Sequence, residues 1–100
     1  MLNQEKVFEE LVKHGVTFFT GVPDSYLNGF CNYALDNCGN RNIITANEGN
    51  AIAIASGHYF ASKEISLVYM QNSGLGNAVN PLVSLVAVSY THLTLPTNRE

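Results

Sequence analysis

Glu48 is the residue most able to do chemistry in this chain, because it opens a helical stretch and the residues around it are mostly small or apolar. A carboxyl group held in a dry pocket has a raised pKa and can share a proton with a ligand nitrogen. The simpler role is structural: Asn47 fits a helix cap, and an acid beside it suits the positive end of the helix dipole. Gln71, Asn72, Ser73, Gly74 and Gly76 form a second candidate group after a strong apolar run. Three uncharged hydrogen-bonding side chains and two bare backbone positions could cradle a polar ligand. The glycines only partly match a dinucleotide-binding turn, since Val79 stands where a third glycine belongs and no acid follows about 20 residues on. Asp24 and Ser25 follow Pro23 and could hydrogen-bond a polar substrate or cap the next helix.

The elements that must position these residues alternate between two periodicities. Val7, Phe8, Leu11 and Val12 mark one face of a helix over Gln4–Lys13, with Asn3 as its cap and Gly15 beyond its end. Residues 16–19 form a β-branched and aromatic strand that stops before Pro23. A second helix follows, with Leu27, Phe30, Cys31, Ala34 and Leu35 as its inward stripe. Residues 42–46 read as a short strand, and Glu48–Ser62 as a helix apolar on nearly every side and therefore buried. Residues 65–70 lack alternation, as a parallel strand covered on both faces would. Residues 71–74 are a loop, and 75–85 carry helical spacing around Pro81.

Strands alternating with helices in this way imply an α/β fold, a parallel sheet with helices on both faces and right-handed crossovers. Ligands bind such sheets beyond the carboxyl ends of the strands. That rule selects three loops: 21–25, 47–50 and 71–76.

Composition removes other classes of function. The 100 residues carry a net charge of -3, and Lys6, Lys13, Arg41, Lys63 and Arg99 are scattered, so no basic face is offered to nucleic acid. No apolar run is long enough to span a membrane, and the acidic N-terminus is unlike a signal peptide, so a cytoplasmic location is expected. Cys31 and Cys38 belong to no CxxC pair, and His14 and His58 have no partner at metal-ligand spacing. Reduced thiols and no metal site within this chain are the expectation. A charged share of only 13% points to surface that faces other protein, hence to a homo-oligomer.

Three segments, Phe18-Phe19-Thr20-Gly21-Val22-Pro23-Asp24-Ser25, Ile43-Ile44-Thr45-Ala46-Asn47-Glu48-Gly49, and Val68-Tyr69-Met70-Gln71-Asn72-Ser73-Gly74-Leu75-Gly76-Asn77, together resemble the thiamine-diphosphate-dependent 2-oxo acid decarboxylases. Within that family the resemblance is to the phosphonopyruvate decarboxylases and, less closely, the sulfopyruvate decarboxylases. It implies that this chain holds the aminopyrimidine ring of thiamine diphosphate, with Glu48 hydrogen-bonded to N1′ of that ring as the catalytic acid. It further implies that Gln71, Asn72, Ser73 and Gly74 lie near the cofactor, and that Asp24 and Ser25 look toward a 2-oxo acid substrate.

The family's Gly-Asp-Gly motif with paired asparagines, which holds magnesium and diphosphate, is absent from this sequence. The implied partner is therefore a pyrophosphate-binding domain on a second subunit, and the chain alone is expected to be an inactive fragment. Residues 1–87 are read as the N-terminal part of the pyrimidine-binding domain. Residues 88–100 resemble a translated sequencing adapter and are read as a non-native tail. A different class of function stays open on the residues alone: a non-catalytic α/β module that binds a nucleotide or a protein through the turn at Gly74 and Gly76.

Overall fold

The computed structural model describes residues 3–25 and 28–87, with side chains described to residue 84. Helix α1 (Gln4–Lys13) begins where expected, because the Asn3 side chain accepts hydrogen bonds from the backbone N–H groups of Glu5 and Lys6. Gly15, at φ +94°, then turns the chain into β1 (Val16–Gly21), a reversal that favours glycine. Helix α2 (Asn28–Asn37) leads through a short 3-10 turn to β2 (Asn42–Ile44). Helix α3 (Glu48–Ser62) leads to β3 (Ile65–Tyr69).

The three strands are parallel in the order β2-β1-β3. Thr20 of the central strand stands opposite Ile43 on one side and Val68 on the other, and Gly21 stands opposite Ile44 and Tyr69. An irregularity between Val16 and Phe18 brings Val16 into the same cluster as Phe19, although the two are three residues apart. On one face Phe19, fully buried, joins Val16, Phe8 of α1, Cys31, Ala34, Cys38 and Tyr69. The Phe8 ring lies 4.8 Å from Phe19, 4.7 Å from Phe30 and 4.8 Å from Tyr33, so one aromatic side chain knits α1, α2 and the sheet together. On the other face Phe18 stacks on His58 of α3 at 4.6 Å, and the Thr17 hydroxyl donates to Glu64 just beyond that helix. The fold is thus the α/β layer structure read from the sequence, with helices on both faces.

Four local expectations differ. Only Gly49, Ala51, Ile52 and Ser56 of α3 are buried, while Ala53, Phe60 and Ala61 face outward. An apolar composition says that no polar stripe exists, but coverage depends on what packs there, and α3 lies with one side on β1 and β3. Strand β3 is at the sheet edge, which leaves Ile65 52% exposed although its sequence reads as buried on both faces. Leu35 is 57% exposed and outside the inward stripe; Leu27 lies outside the described residues. The last helical segment starts earlier than expected, as a 3-10 helix over Asn72–Ala78, and passes through one α-helical turn (Val79–Pro81) into a π-helix (Leu82–Ala87). Pro81 has no N–H to donate, and the winding changes around it.

Cys31 and Cys38 are free and buried, and burial pushes both thiols up. No group of three potential metal ligands occurs among the described residues. No described helix is long and apolar enough to cross a membrane.

Candidate active site

The chain leaves β1 toward β2 on one side and later returns through α3 to β3 on the other. The loops beyond the carboxyl ends of β1 and β3 therefore diverge, and in an open parallel sheet that is the usual place for a ligand. The end of β1 is pinned from both sides. Val22 donates its N–H to the Tyr69 carbonyl at 3.1 Å, and Thr45 donates its own to the Gly21 carbonyl at 2.9 Å. The buried Thr45 hydroxyl reaches Gly21 O at 3.3 Å and Asn47 O at 3.1 Å, which ties the start of α3 to the end of the central strand. A side chain at Gly21 has no room, since a methyl there would meet the Tyr69 carbonyl and its ring.

Glu48 is the first residue of α3, and Asn47 caps the helix by accepting from Gly49 N–H at 2.7 Å. Against it the 3-10 segment supplies Gly74 and Asn77. Residues three apart eclipse in a 3-10 helix, so these two share one face. Their roles are complementary. The Glu48 carboxyl lies over bare Gly74, where a methyl group would sit 2.6 Å from Glu48 Cδ. Asn77 Nδ2 donates to Glu48 Oε1 at 2.9 Å. Contact is returned lower down, where the Asn77 carbonyl would lie 2.8 Å from a methyl on Gly49.

Glu48 is half-buried, and its carboxyl is held below the usual carboxylate range. The largest cause is the Asn77 hydrogen bond, followed by its own backbone N–H, with partial burial opposing them. A dry pocket that raises the Glu48 pKa is thus not what this chain forms. Two donors stabilise the ionised form more than partial desolvation penalises it.

The other sequence-selected residues surround this pair to different degrees. Gln71, Asn72 and Ser73 are exposed, and two of their bonds close the turn on itself: Gly74 N–H to Gln71 O at 2.9 Å and Ser73 Oγ to Gln71 Oε1 at 3.2 Å. Asp24 and Ser25 follow β1 at the same edge, and the Asp24 backbone bonds the Cys31 thiol. The residues between Ser25 and Asn28, where the start of α2 and its cap would be decided, lie outside those described. No hydrogen bond among the described residues joins Ser25 to Glu48. The structure brings Glu48 and Gly74 together and adds Asn77, to which the sequence assigned no role. Its signal is the three-residue spacing from Gly74, which has meaning only in a 3-10 helix over Asn72–Ala78.

An acceptor carboxylate at the carboxyl edge of a parallel sheet can take a hydrogen bond from a ligand N–H. Residues 3–96 match the family described as thiamine pyrophosphate enzyme, N-terminal TPP binding domain. The chain belongs to that family. Its relatives include the sulfopyruvate decarboxylase subunit alpha of Methanococcus maripaludis, 37% identical over 84 residues, which are 84% of this chain and 50% of the relative. The phosphonopyruvate decarboxylase of Streptomyces hygroscopicus is 36% identical over 86 residues, covering 86% of this chain and 21% of that protein. The phosphonopyruvate decarboxylase of Streptomyces viridochromogenes is 40% identical over 72 residues, or 72% of this chain and 18% of the relative. This TPP-binding domain thus spans half the length of the first relative and about a fifth of the other two. The matched span runs past residue 87, and residues 88–100 lie outside those described.

Proposed function

We propose that this chain is the pyrimidine-binding half of a thiamine-diphosphate-dependent 2-oxo acid decarboxylase that converts phosphonopyruvate to phosphonoacetaldehyde and carbon dioxide. The observation that carries this reading is the Glu48 carboxylate, held by Asn77 over bare Gly74 at the carboxyl edge of the sheet. Glu48 is the acid that hydrogen-bonds the ring nitrogen and shares a proton with it. Gly74, lacking a side chain, leaves the space in which the Glu48 carboxyl rests, and Gln71, Asn72 and Ser73 offer hydrogen bonds at the lip. Asp24 and Ser25, on the loop after the central strand, face the substrate. Bound thiamine diphosphate supplies the electron sink that a 2-oxo acid needs to lose carbon dioxide. What this chain adds is the placement of one proton-sharing group.

Magnesium and the diphosphate belong, in this reading, to a pyrophosphate-binding domain on a second subunit of an oligomer. Sulfopyruvate is the second substrate to consider, because a relative named subunit alpha of a sulfopyruvate decarboxylase aligns over 84% of this chain. The free thiols of Cys31 and Cys38 suit the cytoplasm.

The test is Glu48→Gln in a full-length enzyme carrying this domain. Turnover of the 2-oxo acid should fall about 10²–10⁴-fold. Exchange of the cofactor's thiazolium C2 proton with deuterium should slow in step. Undiminished turnover and exchange would leave Glu48 without the assigned role.

A further inference from the structure

We propose that Asn77 is a positioning residue for Glu48, and that Gly49 and Gly74 are the paired gaps that let the two segments interlock so that this donor is always aimed. The inference rests on the role of Glu48 proposed above and deepens it.

A glutamate side chain has three rotatable bonds, and at a half-exposed site packing alone does not fix its carboxyl. Among the described residues Asn77 is the one side chain that donates to it, at 2.9 Å. The nearby Ser73 hydroxyl is turned onto Gln71 instead. The donor is itself fixed relative to the acceptor. The Asn77 carbonyl rests where a side chain on Gly49 would be, at 2.8 Å, with Pro81 Cγ 3.4 Å from the same point. Gly49 is buried and adjoins Glu48, so donor and acceptor are both referenced to the first turn of α3. Ala78, fully buried beside Asn77, anchors the segment from below. The backbone of Asn77 is thus held against the first turn of α3, which limits how far its side-chain amide can move from Glu48. The amide also matters as an amide: an aspartate at this position would keep the shape, lose the donor and set a second negative charge beside Glu48.

The experiment uses the full-length holoenzyme for kinetics and the same protein without cofactor for carboxyl titration by ¹³C NMR. The variants are Asn77→Ala and the nearly isosteric Asn77→Asp. Both should move the Glu48 titration upward, Asn77→Asp more than Asn77→Ala, and shift the acid limb of the kcat profile the same way. In Asn77→Ala, kcat should fall about tenfold, the lower end for a bond to a charged group that solvent still reaches, with KM for the 2-oxo acid within about twofold. A Glu48 titration that stays in place in folded Asn77→Asp, or a loss confined to KM, overturns the assignment. The two proposals fail separately. Should Glu48→Gln turn over normally while the Asn77 variants still move the Glu48 titration, the catalytic role is wrong and the pairing stands.

Discussion

Replacing Gly74 with alanine separates the work of the site from the stability of the fold. A methyl at Gly74 would lie 2.6 Å from Glu48 Cδ and 2.7 Å from its Cγ, whereas ordinary contacts between such atoms fall near 3.5–4 Å. The backbone at Gly74 is not in the left-handed region, so alanine is sterically acceptable there. The atoms in the way are the far end of a flexible side chain, and Glu48 must retreat by about 1 Å. A misplacement of that size can cost about 10²-fold in rate. Stability should barely move. Alanine restricts the unfolded chain and contributes about 0.4–1 kcal/mol, while the disturbed Asn77 bond costs a similar amount. The assay pairs urea unfolding at pH 7 with steady-state turnover in the full-length enzyme. We expect an unfolding free energy within about 1 kcal/mol of the parent's and turnover lowered about 10²-fold. Turnover within threefold of the parent would mean that the Glu48 position over Gly74 is unimportant. A loss above about 2 kcal/mol would mean that Gly74 serves the core instead.

Gly21→Ala should have the opposite character, because its methyl would meet a backbone carbonyl and come 2.7 Å from the Tyr69 ring in the middle of the sheet. We expect about 2–3 kcal/mol of destabilisation, read from the unfolding midpoint, and an unchanged midpoint would refute the packing described. For pH, the folded-state pKa of Glu48 lies below the ordinary value of 4.5, so its contribution to stability is complete above that value and is lost as pH falls through the folded value. The stability gap between the parent and Asn77→Leu should accordingly close on acidification from pH 7 through the low-pH range. A gap that widened there would contradict the donor role.

Much of the layer order was readable because it depends on local periodicity. Asn3, Gly15 and Asn47 act as the caps and turns their chemistry favours, and the order of strands and helices follows the switches between apolar runs and helical spacing. Glu48 could be singled out for the same reason, as an acid at a helix start that follows a strand. Less was readable where one chain alternates between two roles. The unpatterned apolar stretches of α3 and β3 look alike whether they are covered on one face or two, and only their places against β1 and at the sheet edge separate those cases.

The sequence by itself determined the α/β class and put Glu48 at a helix start beyond a strand, since helix starts, strand runs and turns are encoded within a few residues. Tertiary structure alone decided that Asn77, 29 residues from Glu48, supplies its hydrogen bond, and that this lowers the carboxyl pKa where an apolar setting had suggested the reverse. Ionisation is set by what stands within about 3 Å of the oxygen atoms. That neighbour arrives through the crossover from β2 to β3 and the winding of the segment beyond it.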